Sequence, residues 1–284
     1  MKETVSQHGF PIHNAKVPII LSLRRTEELR PHEETVQHDL DTIVRALQSD
    51  PVLRHPIIAD IASGAVLDGT HRLAALKKLG CRTIPAALLD YQNPLVKIDR
   101  WYRTITGNDI GTFEKQVQAL HPIEMSDSEA DDSLLTRSSY ATLRDEHDCW
   151  AFRSGSLKPL QLCKDAFQLE QTAKDCNAKI SYTDKNNISE LTSSSILMST
   201  IRLAKEEVIE CCTEHQLFPP KSTRHLIPSR PLGVTVPLQW LMDTNVAIAE
   251  TKFQKHLASK TIRRLPEGTI VGSRRYMEEV FLFE

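Results

Sequence analysis

The stretch from residue 56 to residue 80 constrains the fold most, because two strand patterns and a helix pattern follow one another with almost no chain between them. The apolar runs at 56–62 and 65–68 predict a pair of strands joined by a short turn. The leucine spacing that follows predicts a helix ending at Gly80. The chain therefore passes from a strand into a helix at Asp-Gly-Thr-His-Arg, residues 68–72, and these polar side chains lie at the helix N terminus.

The rest of the chain continues this alternation, which predicts an α/β protein of mixed α+β content. Further strands are predicted at 17–23, 83–91, 96–102, 149–152, 179–182 and 195–200, and further helices at 36–47, 163–177 and 204–215. The acidic segment near 125–133 shows no periodicity and is predicted to be an exposed linker. The segment 219–231 contains four prolines and is predicted to be extended.

Composition narrows the classes of function. Hydrophobic residues make up 40% and charged residues 25% of the 284 residues, as in ordinary globular proteins. The net charge of −2 argues against a surface built for duplex nucleic acid. The sequence contains no apolar stretch of membrane-spanning length and no apolar signal-peptide core, so we expect a cytoplasmic protein with no membrane partner. The six cysteines lack metal-ligand spacing and are expected to be reduced.

The DGTHR segment has the chemistry of an anion site. The first N–H groups of a helix lack intrahelical partners, and the helix dipole there favours negative charge. Gly69 allows a phosphate to approach the backbone, while Thr70, His71 and Arg72 offer donors. Asp68 suits such a site where it holds a cation, as a Mg²⁺ ligand beside a nucleotide does, or accepts a proton. In the alternative, Asp68 or Thr70 caps the helix and the basic side chains face solvent.

Two other stretches carry candidate functional groups. Glu33 lies at the start of the first predicted helix, where it can act as a general base or simply stabilise the helix dipole. Thr223, Arg224 and His225, in the proline-rich segment, can bind a carboxylate or phosphate, or can form a solvated basic loop. These residues alone leave both alternatives open.

The order of several motifs resembles a known superfamily. RPHE, then DGTHR at the start of a helix, then LLDY are arranged as in the ParB/sulfiredoxin superfamily, which binds nucleotide phosphates with such a loop. Within it, WY at 101–102, KEEVIE and above all PPKSTRHLIP are similar to the free L-serine kinases of archaea. The resemblance covers residues 17–242. It implies a phosphotransferase that converts free L-serine to O-phospho-L-serine, with ADP or ATP as donor and with Mg²⁺, for cysteine synthesis or a related path.

The resemblance also implies a domain organisation. A ParB/sulfiredoxin-like N-terminal domain, which binds nucleotide and carries the catalytic residues, is followed by a second, smaller α/β domain. The expected parts are an N-terminal extension at 1–16, the nucleotide-binding domain at 17–108, the second domain at 109–218, a returning substrate-binding segment at 219–242, and a C-terminal extension of unknown role at 243–284.

Functional roles are carried over by the same resemblance. Glu33 corresponds to the base that takes the proton of the serine hydroxyl, and Asp68 to a second acid near the metal or the hydroxyl. Trp101 is expected to line the serine pocket. The other implied site residues are Gly69, Thr70, His71 and Arg72 for the transferring phosphate, and Thr223, Arg224 and His225 for the amino acid.

Departures from the family patterns limit the possible functions. Thr70 occupies the place of the catalytic cysteine of sulfiredoxin, which argues against peroxiredoxin repair. It also replaces the histidine that serine kinases more often have there. The remaining alternative is a ParB-like, nucleotide-responsive DNA-binding or regulatory protein, although the chain has no helix-turn-helix pattern. Serine is the expected acceptor, and the pattern leaves threonine or homoserine open, because one methyl group changes affinity by only about 1–3 kcal/mol.

Overall fold

The computed structural model describes residues 9–107, 109–186, 188, 191–192, 194–272 and 274–284. The chain divides into two compact units. The first unit contains the chain up to Lys97 together with 208–216 and 225–284, and the second contains 98–207 and 217–224. The C-terminal extension is therefore part of the first unit, which differs from the sequential division expected from the motifs.

The elements are numbered in chain order. Those of the first unit are β1 (Phe10–Pro11), β2 (Ile20–Arg25), β3 (Arg30–Pro31), α1 (Gln37–Ser49), β4 (Val52–Leu53), β5 (Ile57–Asp60), β6 (Ala65–Asp68), α2 (Thr70–Lys78), β7 (Thr83–Leu89), β16 (Ser229–Leu232), β17 (Val236–Pro237), α7 (Leu238–Leu241), α8 (Val246–Ala258), β18 (Ile262–Leu265), β19 (Ile270–Val271), β20 (Arg274–Arg275) and β21 (Glu279–Phe283). Three elements run across the divisions between the units, namely β8 (Lys97–Asp99), α6 (Lys205–Thr213) and β15 (Arg224–Leu226).

The main sheet of the first unit has the strand order β1-β2-β7-β5-β6-β3. Strand β7 is buried along its whole length, as its continuous apolar sequence predicts. The antiparallel pair β5–β6 and the helix α2 confirm the prediction for 56–80, and Gly80 follows α2 with φ of 76°. Helix α1 buries Val44 and Leu47, which confirms the amphipathic pattern.

The C-terminal extension adds a second sheet to this unit. Strand β21 pairs in parallel with β16 and antiparallel with β18. Helix α8 packs on β2, where the Leu23 backbone N–H donates to the Glu250 carboxylate at 2.6 Å. The extension is thus an integral part of the first unit.

The second unit is built on an antiparallel sheet with the order β10-β12-β11-β14-β9-β13. Its elements are β9 (Tyr102–Thr106), α3 (Ile110–Gln118), β10 (Ile123–Glu124), α4 (Asp127–Leu135), β11 (Ala141–Arg144), β12 (Cys149–Phe152), α5 (Pro159–Asp175), β13 (Lys179–Thr183) and β14 (Ser195–Thr200). Helix α5 starts four residues before the prediction, because Pro159 suits the first turn of a helix.

Two predictions for this region are wrong. The acidic segment near 125–133 is not a linker, because α4 occupies most of it. Ser126 and Glu129 form a capping box, and Ala130 and Leu134 are buried on one face while the acidic side chains occupy the other. The single strand predicted at 96–102 is two strands, β8 and β9.

Two further predictions concern the thiols and the membrane. All six cysteines are buried thiols rather than disulfides, as expected. Burial raises the pKa of Cys81 to about 11 and that of Cys212 to about 12, so both stay protonated at neutral pH. Within the described ranges, no helix is long and apolar enough to cross a membrane.

Candidate active site

The DGTHR loop joins the end of β6 to the start of α2. Gly69 is the N-cap residue of α2 and has φ of 104°, a conformation that glycine adopts without strain. A Cβ at this position would lie 2.6 Å from Ile57 Cγ2 and 2.9 Å from Arg72 Nη2. The N-cap residue of α2 is Gly69, which has no side chain, so neither Asp68 nor Thr70 is the capping residue that the alternative requires. The N terminus of α2 keeps the geometry of an anion site.

Arg72 lies beside this N terminus, and backbone and carboxylate oxygens hold its guanidinium. Its Nη1 donates to the carbonyl oxygens of His55, at 3.1 Å, and of Pro56. Its Nη2 lies 3.3 Å from Asp68 Oδ1. The side chain is therefore fixed near Gly69 and does not extend freely into solvent.

Asp68 forms ion pairs with two arginines. Besides Arg72, it accepts a hydrogen bond from Nη1 of Arg230, which lies in β16, 162 residues further along the chain. Burial raises the pKa of Asp68, but the attraction of Arg230 and Arg72 outweighs it and holds this pKa well below its usual range. Asp68 is thus an anion at neutral pH. The cations that lie beside Asp68 are these two guanidinium groups.

A Mg²⁺ ligand is a different role for Asp68, and the observed contacts do not fit it. Both carboxylate oxygens face guanidinium groups, which would repel a divalent cation. Within the described ranges, no group of three or more His, Cys, Asp or Glu side chains is arranged to hold a metal ion. The contacts of Asp68 are therefore with guanidinium groups, and its carboxylate is not arranged as a Mg²⁺ ligand.

Glu33 lies in the segment 31–36, whose two ends are held against β6 and α2. At one end Pro31 pairs with Val66 in the parallel β3–β6 ladder. At the other end the Val36 N–H donates to His71 Nε2 at 2.9 Å. Glu33 is 17% exposed, so its carboxylate is only partly shielded from solvent. The structure thus brings the predicted base and the DGTHR loop into one region of the first unit.

His32, which sequence reasoning did not select, lies next to Glu33. Its Nδ1 is 2.8 Å from the Val66 carbonyl oxygen, and because a carbonyl only accepts, Nδ1 carries the proton. Its Nε2 lies 3.7 Å from Glu33 Oε1. The buried imidazole therefore presents its second nitrogen to the predicted base. Its position directly before Glu33 in RPHE is the only sequence signal for it.

His225, a predicted substrate residue, lies in the first unit with His32. The two imidazole rings are perpendicular, with centroids 5.1 Å apart. A hydrogen bond of 2.7 Å joins His225 Nε2 to the Tyr91 hydroxyl. His225 is therefore in contact with His32, which directly precedes the predicted base Glu33.

The other predicted serine-binding residues, Trp101, Thr223 and Arg224, belong to the second unit. Arg224 lies over the Trp101 ring at 5.5 Å and donates to Asp184 at 2.7 Å. Lys221 lies 5.3 Å from the same ring. Thr223 is buried. The arrangement is an aromatic ring with two cations, which suits a carboxylate ligand.

A buried ion pair that sequence reasoning missed supports this arrangement. Arg103 and Glu170, 4% and 0% exposed, form an ion pair of 2.6 Å. Arg103 also donates to the carbonyl oxygens of Trp101, at 2.6 Å, and Lys221, at 3.0 Å. Its guanidinium thereby links the two segments that carry the aromatic and basic groups. No local pattern in the sequence signals this pair, because its members lie on different elements.

The fold and the loop together define a mixed α/β protein in which a strand leads through Gly69 into the N terminus of α2. No family model matches the chain. It is 26% identical over 234 residues to an ATP-dependent L-serine kinase of Staphylothermus marinus, covering 79% of this chain and 91% of that protein. It is 28% identical over 223 residues to the ADP-dependent L-serine kinase SerK of Thermococcus kodakarensis, covering 76% and 90%.

A solved structure of a free serine kinase variant in complex with ADP superposes with a TM-score of 0.67 at 21% identity, covering 81% of this chain and 98% of that one. At this identity the superposition establishes a shared fold. The two sequence matches make the chain a homologue of the L-serine kinases.

Proposed function

We propose that this protein is a small-molecule kinase that transfers a phosphoryl group from ADP or ATP to free L-serine, forming O-phospho-L-serine. The observation that carries the proposal is the N terminus of α2, entered through Gly69 and with Arg72 fixed beside it, in a chain homologous to L-serine kinases. Backbone N–H groups and a guanidinium are the donors that phosphates require.

In the proposed reaction the serine hydroxyl oxygen attacks the terminal phosphorus of the nucleotide. The new O–P bond forms as the bridging O–P bond breaks, and AMP or ADP leaves. Glu33 accepts the proton of the hydroxyl. Gly69, Thr70, His71 and Arg72 hold the transferring phosphate, and positioning with neutralised charge supplies most of the catalysis.

The carboxylate of the amino-acid substrate needs a charged partner. Arg224 and Thr223 are proposed to bind the carboxylate of serine, with the Trp101 ring against the small side chain. His225 is proposed to contact the hydroxyl end, because it touches His32 beside Glu33. Mg²⁺ is expected to enter with the nucleotide, since the contacts of Asp68 do not fit a protein ligand for it.

The first experiment is mass spectrometry of the purified protein incubated with Mg²⁺ and L-serine, with ADP and ATP in separate reactions. Phosphoserine is expected in at least one of them, and the productive reaction identifies the donor. Threonine and homoserine in parallel reactions test the acceptor. Bound nucleotide without any phosphorylated amino acid would refute the kinase and favour the ParB-like regulatory alternative, which steeply salt-dependent DNA binding would support.

The role of Glu33 is tested with Glu33→Gln, which keeps the shape of the side chain and removes its basicity. We expect turnover to fall by at least about 10²-fold with nucleotide affinity unchanged, the usual range for a positioned base. Glu34→Gln is the matched control, because Glu34 is the adjacent, exposed carboxylate. Equal turnover in both variants would remove Glu33 from the mechanism.

A further inference from the structure

The C-terminal extension, which lies beyond the segment that resembles serine kinases, is linked to the DGTHR loop through one intervening side chain, that of Arg230. Strand β21 runs parallel to β16, with Val280 opposite Arg230. Glu278 immediately precedes β21, and its Oε1 accepts a hydrogen bond from Arg230 Nε. The other end of the same guanidinium donates to Asp68. A residue of the extension is therefore one side chain away from the carboxylate that begins the loop.

The charges of this cluster alternate in space. Arg230 is only 9% exposed and lies between two carboxylates, those of Glu278 and Asp68. A guanidinium this buried is stable only when its donors are paired. Glu278 and Asp68 together accept hydrogen bonds from Arg230, and each carboxylate loses this donor when Arg230 moves. The position of Asp68 therefore depends on Arg230, and that of Arg230 depends on Glu278.

A second part of the extension acts on the same loop. Arg274 lies over the ring of Tyr276, 4.8 Å from its centroid, and its charge further lowers the pKa of Asp68. Tyr276 is buried with Val280 and with Leu232 of β16 in a small hydrophobic core. The packing of Tyr276 thus helps to hold Arg274 where its charge acts on Asp68.

The neighbouring glutamate provides a natural comparison. Glu279 follows Glu278 directly and points to different partners: it accepts from Arg264 at 2.6 Å and from the Ser229 hydroxyl at 3.2 Å. It is buried, it is the first residue of β21, and it has the same side chain as Glu278. Among the residues that the structure describes, its ion-pair partner is Arg264 and not Arg230. A comparison of variants at the two glutamates therefore distinguishes an effect on the stability of β21 from an effect on the position of Asp68.

We propose that Glu278 is a positioning residue of the active site, which holds Arg230 so that Arg230 fixes the carboxylate of Asp68 at the start of α2. The C-terminal extension thereby stabilises the position of Asp68 in the DGTHR loop. The consequence for turnover rests on the proposed kinase function, whereas the coupling between Glu278 and Asp68 does not.

The test compares Glu278→Gln with Glu279→Gln in steady-state phosphorylation of serine by the full chain. We expect Glu278→Gln to lower kcat by about tenfold with both KM values within about twofold, because a small displacement at the reacting groups costs rate more than binding. Glu278→Asp keeps the charge and is expected to recover part of the rate. Glu279→Gln is expected to keep the wild-type kcat. Equal kcat values in the two glutamine variants would overturn the proposal.

A second measurement needs no turnover. Denaturant unfolding of Glu278→Gln, Asp68→Asn and the double variant forms a cycle, and we expect the double variant to lose less than the sum of the single losses, because Arg230 links the two carboxylates. The corresponding cycle with Glu279→Gln is expected to be additive. Additivity in the first cycle overturns the proposal. A wild-type chain that makes no phosphoserine refutes the proposed function instead, and the cycle still decides the role of Glu278.

Discussion

Replacing Arg103 with methionine tests the internal support of the second unit. The variant leaves the fully buried Glu170 with the Tyr182 hydroxyl, at 2.7 Å, but without its ion-pair partner. It also removes the donor to the Trp101 and Lys221 carbonyl oxygens. Removal of one member of a buried pair costs about 3–5 kcal/mol, because the remaining charge is left uncompensated. We expect the free energy of unfolding at pH 7 to fall by that amount.

The assay is denaturant unfolding followed by circular dichroism. Arg202→Met is the matched control, because Arg202 pairs with Asp99 at 3.0 Å while its side chain is 55% exposed. An exposed pair of this kind contributes about 0–1 kcal/mol. A loss in Arg103→Met no larger than that in Arg202→Met would show that the Arg103–Glu170 pair does not support this unit, and the reasoning from its burial would be wrong.

Three further predictions concern the site. Arg72→Ala should weaken ADP binding by about tenfold or more in calorimetry, since a charge-assisted contact to phosphate is lost; an unchanged Kd would exclude Arg72 from the phosphate site. Thr223→Ala should raise the KM for serine and leave the KM for nucleotide unchanged; the opposite pattern would mean that Thr223 does not bind the amino acid. Asp68 has a lowered pKa, so its contribution to stability is complete above about pH 4, the ordinary carboxyl value, and decreases as the pH falls further. Asp68→Asn should therefore flatten the loss of stability between about pH 4 and pH 2 in acid unfolding, and an unchanged slope would contradict the ion pairs with Arg72 and Arg230.

Local sequence patterns predicted the elements that carry the loop. The paired strands β5 and β6, the glycine before α2 and the amphipathic α1 all follow from periodicity and from glycine conformation, which act over a few residues. The same approach failed for α4. There the acidic composition suggested a linker, whereas a capping box and two buried side chains on one face were sufficient for a helix.

The sequence by itself determined that a strand leads through Gly69 into a helix, with an acid, a histidine and an arginine at its start. It also placed Glu33 before α1. These features are local, so neighbouring residues encode them. Only the tertiary structure decided what Asp68 binds, because Arg230 comes from β16 and is held by Glu278 from the end of the chain. Ion pairs between distant elements depend on strand register and burial, and neither can be read from the spacing of charged residues in a single chain.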